Sequence, residues 1–262
     1  WSWSAFTTLT AATKALAQLQ LRREPEARRN RALPSPPLVP NAALAREEGS
    51  GRSPLPRLVV GLGNPGPQYA DTRHNAGFWL MDELARQHAG HFRPDPKYHG
   101  DICRIALADH QVWLLKPMTF MNRSGQAVVA LARFHRIALP EILVVHDELD
   151  LPLGTVRLKR GGGPGGHNGL RDLIGQLGGN DFARLRLGIG HPGDSREVLD
   201  YVLRRTPLAE RELIEQAILD ALHELPRIVA GQWDKAVQTL HSRRVESSPT
   251  TLLAASANRV SK

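Results

Sequence analysis

Apolar positions along the chain fall into short buried runs and amphipathic stretches. Arg57–Leu62 (RLVVGL) is an apolar run with a glycine near its end, the pattern of a buried strand. From Asn75 to His88 the apolar residues Phe78, Leu80 or Met81, Leu84 and Ala85 recur at helical spacing. Asp101–Ala108 and Gln111–Leu115 read as two strands around a turn at Asp109 and His110, and Ser124–His135 reads as a helix. Glu141–Val145 predicts a strand, Thr155–Arg160 an alternating strand, Asn168–Leu177 a helix and Arg184–Ile189 a further strand. Pro207–Leu225 predicts a long helix opened by a first-turn proline, and Trp233–His241 a last one. Strands and helices alternate without an intervening linker, so residues 57–241 are expected to form one α/β domain.

The two ends read differently. Leu33-Pro34-Ser35-Pro36-Pro37-Leu38-Val39-Pro40 favours an extended, poorly packed segment, with one amphipathic helix possible ahead of it at Ala11–Leu21. Residues 1–56 are therefore expected to be a disordered extension. An organellar transit peptide is the alternative, because residues 1–23 lack acids and are rich in Ser, Thr and Ala. Residues 242–262 read as a loose tail.

Charge changes this picture only after it is located. The 262 residues carry a formal net charge of +8, which suggests a polyanionic partner, with nucleic acid the first suspect. Residues 1–57 hold nine bases against four acids, and the tail from His241 holds four against one. Residues 58–240 hold 21 of each, so the excess belongs to the ends. No apolar run approaches the roughly 18 residues that would span a bilayer. A single cysteine, Cys103, excludes an intrachain disulfide framework or a multi-cysteine zinc site and fits a reducing compartment.

Five segments carry candidate chemistry. Gly61-Leu62-Gly63-Asn64-Pro65-Gly66 follows a strand and fits the dinucleotide pattern literally. Two prolines flank its last glycine, however, and the next helix begins only near Asn75, too late to cradle a pyrophosphate. Thr72-Arg73-His74-Asn75-Ala76-Gly77-Phe78 places a histidine at a helix start, where it can be a surface or capping residue or a general base. In Lys116-Pro117-Met118-Thr119-Phe120-Met121-Asn122, Thr119 is a candidate cap and the last three residues a candidate apolar wall with one amide. His146-Asp147-Glu148-Leu149-Asp150 clusters acids at a strand end. They can hold a metal, or a carboxylate there can orient a histidine. Lys159-Arg160-Gly161-Gly162-Gly163-Pro164-Gly165-Gly166-His167-Asn168-Gly169 is a glycine-rich loop. Residues 157–171 contain four bases and no acid, which suits a phosphate-facing surface, but the Gly-Lys-Ser/Thr ending of a nucleotide P-loop is missing.

Taken together, GLGNPG, TRHNAGF, KPMTFMN, HDELDLPLG, GGGPGGHNGL and RLRLGIGHP, in this order, resemble the bacterial-type peptidyl-tRNA hydrolases from about Arg57 to about His241. The resemblance implies a single α/β domain with a mixed twisted central sheet between helices, of the phosphorylase/hydrolase-like kind. It also implies an esterase that cleaves a peptide, or an N-blocked aminoacyl group, from the 3′ end of tRNA and so recycles tRNA from aborted translation. No cofactor and no metal are implied, and the enzyme is expected to be cytoplasmic and monomeric, with no membrane partner.

Carried over to this chain, His74 is implied as the base that takes a proton from water, and Asp147 as the carboxylate that orients it. Asn64 is implied as the amide that reads a blocked peptidyl group. Asn122 and Asn168 are implied to hold the peptide backbone and the developing oxyanion, with Tyr69, Phe120 and Met121 lining the crevice. Arg157, Lys159 and Arg186 are implied as acceptor-stem phosphate contacts. The basic residue that many relatives carry after Gly-His-Pro-Gly-Asp is replaced here by Ser195, and Arg196 beside it is the expected substitute phosphate contact. An ester is already activated, so positioning plus one base can suffice, and no Gly-x-Ser-x-Gly elbow is present. The competing expectation is a non-enzymatic RNA-binding homologue, as in plant splicing factors that resemble this family. The acidic helix Pro207–Leu225 is expected to present a solvated or lid-like face.

Overall fold

The computed structural model describes residues 54–243. The readings made for residues 1–53 and 244–262, including the Ala11–Leu21 helix, the proline run and most of the tail, lie outside the described residues.

One seven-stranded sheet organises the chain, with spatial order β2-β3-β4-β1-β5-β7-β6. The strands are β1 Leu58–Gly61, β2 Arg93–Asp95, β3 Gly100–Leu107, β4 His110–Pro117, β5 Ile142–Glu148, β6 Val156–Arg160 and β7 Ala183–Gly188. Strands β4, β1, β5 and β7 run parallel at the centre, while β2, β3 and β6 add antiparallel edges, so the sheet is mixed. The composition of each strand follows from its place. Central β1 and β5 are covered on both faces and read as near-continuous apolar runs, Leu58-Val59-Val60 and Ile142-Leu143-Val144-Val145, all fully buried. Toward the edge, β3 alternates buried Cys103, Ile105 and Leu107 with exposed Arg104 and Ala106.

The helices are α1 Ala76–Gln87, α2 Ser124–Phe134, α3 Asn168–Leu177, α4 Val198–Leu203, α5 Leu208–Val229 and α6 Trp233–Ser242. The main departures from the sequence expectation have physical causes. Strand β2 is only three residues long and contains Pro94, so it carries no alternation; a proline is tolerated because β2 is an edge strand. Helix α4 is too short to show a periodic face. Helix α5 does not stop before Pro226 but runs four residues further, to Val229. The proline removes one helical N–H, and the burial of Ile228 and Val229 offsets that loss.

The face of α5 expected to be solvated is in part internal. Arg73, with no exposed surface, donates from Nε and Nη2 to Glu210 Oε2 at 2.9 and 2.6 Å. Its Nη1 donates to the Tyr201 carbonyl at 2.9 Å, and its guanidinium lies 4.1 Å from the centre of the Tyr201 ring. Glu224 is also buried and pairs with Arg227 at 2.8 Å.

Position in the sheet defines where a site can form. The chain leaves β1 toward β4 on one side and later returns to β5 on the other, so the crevice beyond the carboxyl ends of β4, β1 and β5 is a topological switch point. Helix α1 reaches that crevice because Gly77 lets it touch the sheet. A Cβ on Gly77 would lie 2.6 Å from the Leu62 nitrogen and 2.7 Å from the Val145 carbonyl oxygen. Neither backbone atom can move aside without breaking the Leu62 N–H to Val145 carbonyl bond, which measures 2.9 Å. We therefore expect Gly77→Ala to destabilise the fold by about 2–3 kcal/mol. Urea denaturation checks this, and an unchanged midpoint would refute it.

Candidate active site

Three loops at the switch point supply the site, and a fourth segment closes it. The loop after β1 carries Asn64 and Tyr69 and ends in the 3-10 turn Arg73–Asn75 that holds His74. That turn is fixed from below by Arg73 and from the side by the Thr206 N–H, which donates to the Asp71 carbonyl at 2.9 Å. Strand β5 delivers Asp147 near its carboxyl end. The segment after β4 carries Phe120, Met121 and Asn122, and α3 begins at Asn168.

At the centre, His74 Nδ1 lies 3.0 and 2.9 Å from the two carboxylate oxygens of Asp147, which is only 3% exposed. The pairing makes Nδ1 the donor and leaves Nε2 with its lone pair. His167 approaches the same carboxylate, with Nε2 at 3.0 Å from Oδ1. Burial alone would push the Asp147 carboxyl up. The neighbouring imidazoles of His74 and His167, by electrostatic attraction and their hydrogen bonds, outweigh burial and hold it well below the usual carboxylate range.

Asn64 is held by a ring of amide bonds. Its N–H donates to Asn75 Oδ1 at 2.8 Å, and Asn75 Nδ2 donates back to its carbonyl at 2.9 Å. Its side-chain Oδ1 accepts the Met121 N–H at 2.8 Å, which leaves Nδ2 without a partner among the described residues. Met121 is buried against α3: a Cβ on Gly169 would meet its sulfur at 2.5 Å. Tyr69 is buried, Phe120 is 45% exposed beside the exposed Asn122, and Asn168 Oδ1 accepts from Arg171 at 2.6 Å.

Of the expected phosphate contacts, Arg157 and Lys159 lie on β6 and Arg186 on β7, where Arg157 pairs with Arg186 and Lys159 with Arg184 across the ladder, while Arg196 lies in the turn Ser195–Glu197 ahead of α4. Arg157 Nη1 donates to the carbonyls of Val156 and Leu240, at 2.7 and 3.0 Å. Arg186 is engaged by Glu148 at 2.9 Å, and the largely exposed Arg196 by Asp194 at 2.6 Å. Lys159 is exposed and has no acidic partner among the described residues. The start of the glycine loop is pinned: buried Arg184 donates to the carbonyls of Gly163 and Gly162 at 2.6 and 2.5 Å.

Two participants escaped the sequence reading. Asn75 was visible only as part of its motif, and His167 only as the end of a glycine loop. One ligand atom each from His74, Asp147 and His167 lies within 4.8 Å of the others, a spacing that a small cation could use. The hydrogen bonds argue otherwise. His167 Nδ1 accepts the N–H groups of Gly169 and Leu170 at 3.1 and 3.3 Å, so Nε2 carries the proton and offers no lone pair toward the centre.

The sheet and its crevice define an α/β protein of the phosphorylase/hydrolase-like architecture with a buried histidine–carboxylate pair at the strand ends. The family model for peptidyl-tRNA hydrolase matches residues 58–248, and the chain belongs to that family. It is 56% identical over 193 residues to the peptidyl-tRNA hydrolase of Halorhodospira halophila, covering 74% of this chain and all of that one. Against the same-named protein of Neisseria meningitidis serogroup B it is 55% identical over 187 residues, covering 71% and 97%. The crystal structure of peptidyl-tRNA hydrolase from Acinetobacter baumannii superimposes with a TM-score of 0.71 at 48% identity, covering 75% of this chain and 99% of that one.

A third histidine, His146, is buried beside the pair. Its Nδ1 donates to the Asp147 carbonyl at 2.7 Å, while Nε2 is buried without a partner. Burial first, then the neighbouring His167, pushes its imidazole down from near 6.5 to about 3, against the opposing pull of the Asp147 carbonyl. Below pH 6.5 the unfolded chain therefore takes up a proton at this residue that the folded chain refuses, and stability falls as pH falls toward 3. The loss from this one group is at most about 1.4 kcal/mol per pH unit. We expect His146→Asn, which can keep the donor to the carbonyl, to flatten the stability slope between pH 6.5 and 4.5. Urea midpoints across that range test it, and an unchanged slope would refute it.

Proposed function

We propose that the chain hydrolyses the ester between a peptidyl or N-blocked aminoacyl group and the 3′ end of tRNA. The observation that carries this reading is the convergence of His74, Asp147 and Asn64 in one crevice of a family member. With Nδ1–H committed to Asp147, His74 Nε2 takes a proton from a water attacking the ester carbonyl. Asp147 holds the ring in that tautomer and stabilises the imidazolium as it forms. The unpartnered Nδ2 of Asn64 reads the peptidyl carbonyl, with Asn122 and Asn168 as further amide donors for backbone and oxyanion. Tyr69, Phe120 and Met121 line the crevice. Neutral amides suit a substrate whose peptide varies in sequence, because they address its backbone.

For the tRNA acceptor stem, Arg157 and Lys159 are the main phosphate contacts, since their charges are not cancelled by a carboxylate. Arg186 and Arg196 serve only when phosphate competes with Glu148 and Asp194. The reading extends to a cytoplasmic enzyme acting as a monomer without metal or cofactor. The non-enzymatic RNA-binding alternative is not favoured, because the family resemblance comes with the His74–Asp147 pair intact.

Release of N-acetylaminoacyl groups from tRNA tests the assignment. His74→Ala is expected to lower kcat/KM by about 1,000-fold or more. Asp147→Asn is expected to cost less, about 10–100-fold, because it removes orientation rather than the base. Equal activity of wild type and His74→Ala would remove His74 as the base. Replacing Arg157 and Lys159 by Gln is expected to raise KM with kcat nearly unchanged and to reduce the salt slope of log KM by about 1–2. An unchanged slope would exclude both as phosphate contacts.

A further inference from the structure

We infer that His167 is a positioning residue for the His74–Asp147 pair, held in the tautomer that donates from Nε2. This rests on the proposed function above for its kinetic consequences. The geometry itself stands apart from that reading.

A lone histidine beside a carboxylate can switch between donor and acceptor, or gain a charge. His167 cannot switch easily. Its Nδ1 occupies the N-cap position of α3 and accepts the N–H groups of Gly169 and Leu170. Moving the ring proton to that nitrogen would set a donor against two helix-start N–H donors. The proton on the ring is thereby confined to Nε2, which points at Asp147 Oδ1 from 3.0 Å. The side chain is only 8% exposed, so water has little access with which to replace this donor.

Asp147 explains why such a donor is useful. His74 Nδ1 sits almost equidistant from both carboxylate oxygens, at 3.0 and 2.9 Å, so that contact alone does not fix the carboxylate plane. The bond from His167 fixes Oδ1, and with it the orientation in which Oδ2 receives the His74 N–H. The two imidazoles lie 4.9 Å apart and tilted, close enough to share one carboxylate without stacking. A chain of fixed dipoles thus runs from the start of α3 through His167 to Asp147 and on to His74.

The same side chain is a helix cap, and a purely structural role must be separated from positioning. Two substitutions do so. In His167→Asn the side-chain oxygen falls near the place of Nδ1, so the cap survives and the donor to Asp147 is lost. In His167→Gln an amide N–H falls near the place of Nε2, so the donor is regained and the cap is lost. We expect opposite rank orders. His167→Asn should keep a Tm within about 2 °C of wild type and KM within about twofold, while kcat drops about 10–100-fold. His167→Gln should lose more Tm, yet recover kcat to within about fivefold of wild type. Activity that follows Tm, with His167→Asn near wild type, would overturn the proposal.

An activity-independent readout accompanies this. In protein labelled with nitrogen-15 histidine, the neutral His167 ring should show a protonated Nε2 and an unprotonated Nδ1. The downfield His74 Nδ1–H resonance should be present in wild type and His167→Gln and displaced in His167→Asn. The opposite tautomer at His167, or a His74 resonance indifferent to both substitutions, would overturn the proposal. If this pattern held while wild type released nothing from N-acetylaminoacyl-tRNA, the assigned activity would fail and the positioning role would stand.

Discussion

A buried carboxylate is the constraint on which the site depends. Asp147 lies near the end of a central parallel strand, where almost no water can reach it, and an unpaired charge there would be prohibitive. It is tolerated because two imidazoles donate to it, and each comes from a different part of the chain. His74 arrives on the turn that follows the β1 loop, and His167 arrives at the start of α3. Satisfying one charge therefore requires both segments to be in place. The energetic need to pair Asp147 and the geometric need to assemble a site are the same requirement.

The flanking segments are tied down by comparable means. The turn that bears His74 rests on a fully buried arginine, whose charge is met by Glu210 at the start of α5 and whose remaining donor meets a carbonyl of α4. The loop that bears Asn64 is clamped by Asn75 on its backbone and by Met121 on its side chain. The glycine loop ahead of His167 is held at its start by Arg184. These groups are thus linked: α5 steadies His74, and the segment after β4 steadies Asn64. Leaving any of these polar groups unpaired inside the fold would cost about 1–3 kcal/mol, more for the charged ones.

Much of this was legible in the sequence. Central strands announced themselves because a strand covered on both faces must be apolar throughout, and most helices because one face must be. His74, Asp147 and Asn64 were legible because they sit in motifs at strand and helix boundaries, where polar residues have no packing reason to cluster. What stayed hidden was pairing. Nothing in the local pattern around Glu210 says that its partner is Arg73, 137 positions earlier. Nor does the Gly165-Gly166-His167 run say that its imidazole turns inward; glycines on one side and a helix on the other read equally well as an exposed hinge. β2 was missed because three residues with a central proline carry no period, and α5 was cut short because a proline ends most helices when burial beyond it is unknown.

Charge shows the same limit from the other direction. The sequence gives a count, and the fold decides which charges remain available. Of the four cations named for tRNA, Arg186 and Arg196 are each held by an acid within hydrogen-bond distance, so a phosphate must displace a carboxylate to use them. Arg157 gives Nη1 to carbonyls and keeps its full charge, and Lys159 projects into solvent. Arg157 and Lys159 lie two residues apart on β6, so their side chains share one face of an edge strand. Two cations without a carboxylate partner among the described residues thus stand about 7 Å apart along one strand edge. A formally neutral folded region can in this way carry a local excess of positive charge, and the excess charge of the chain ends is not needed to account for it.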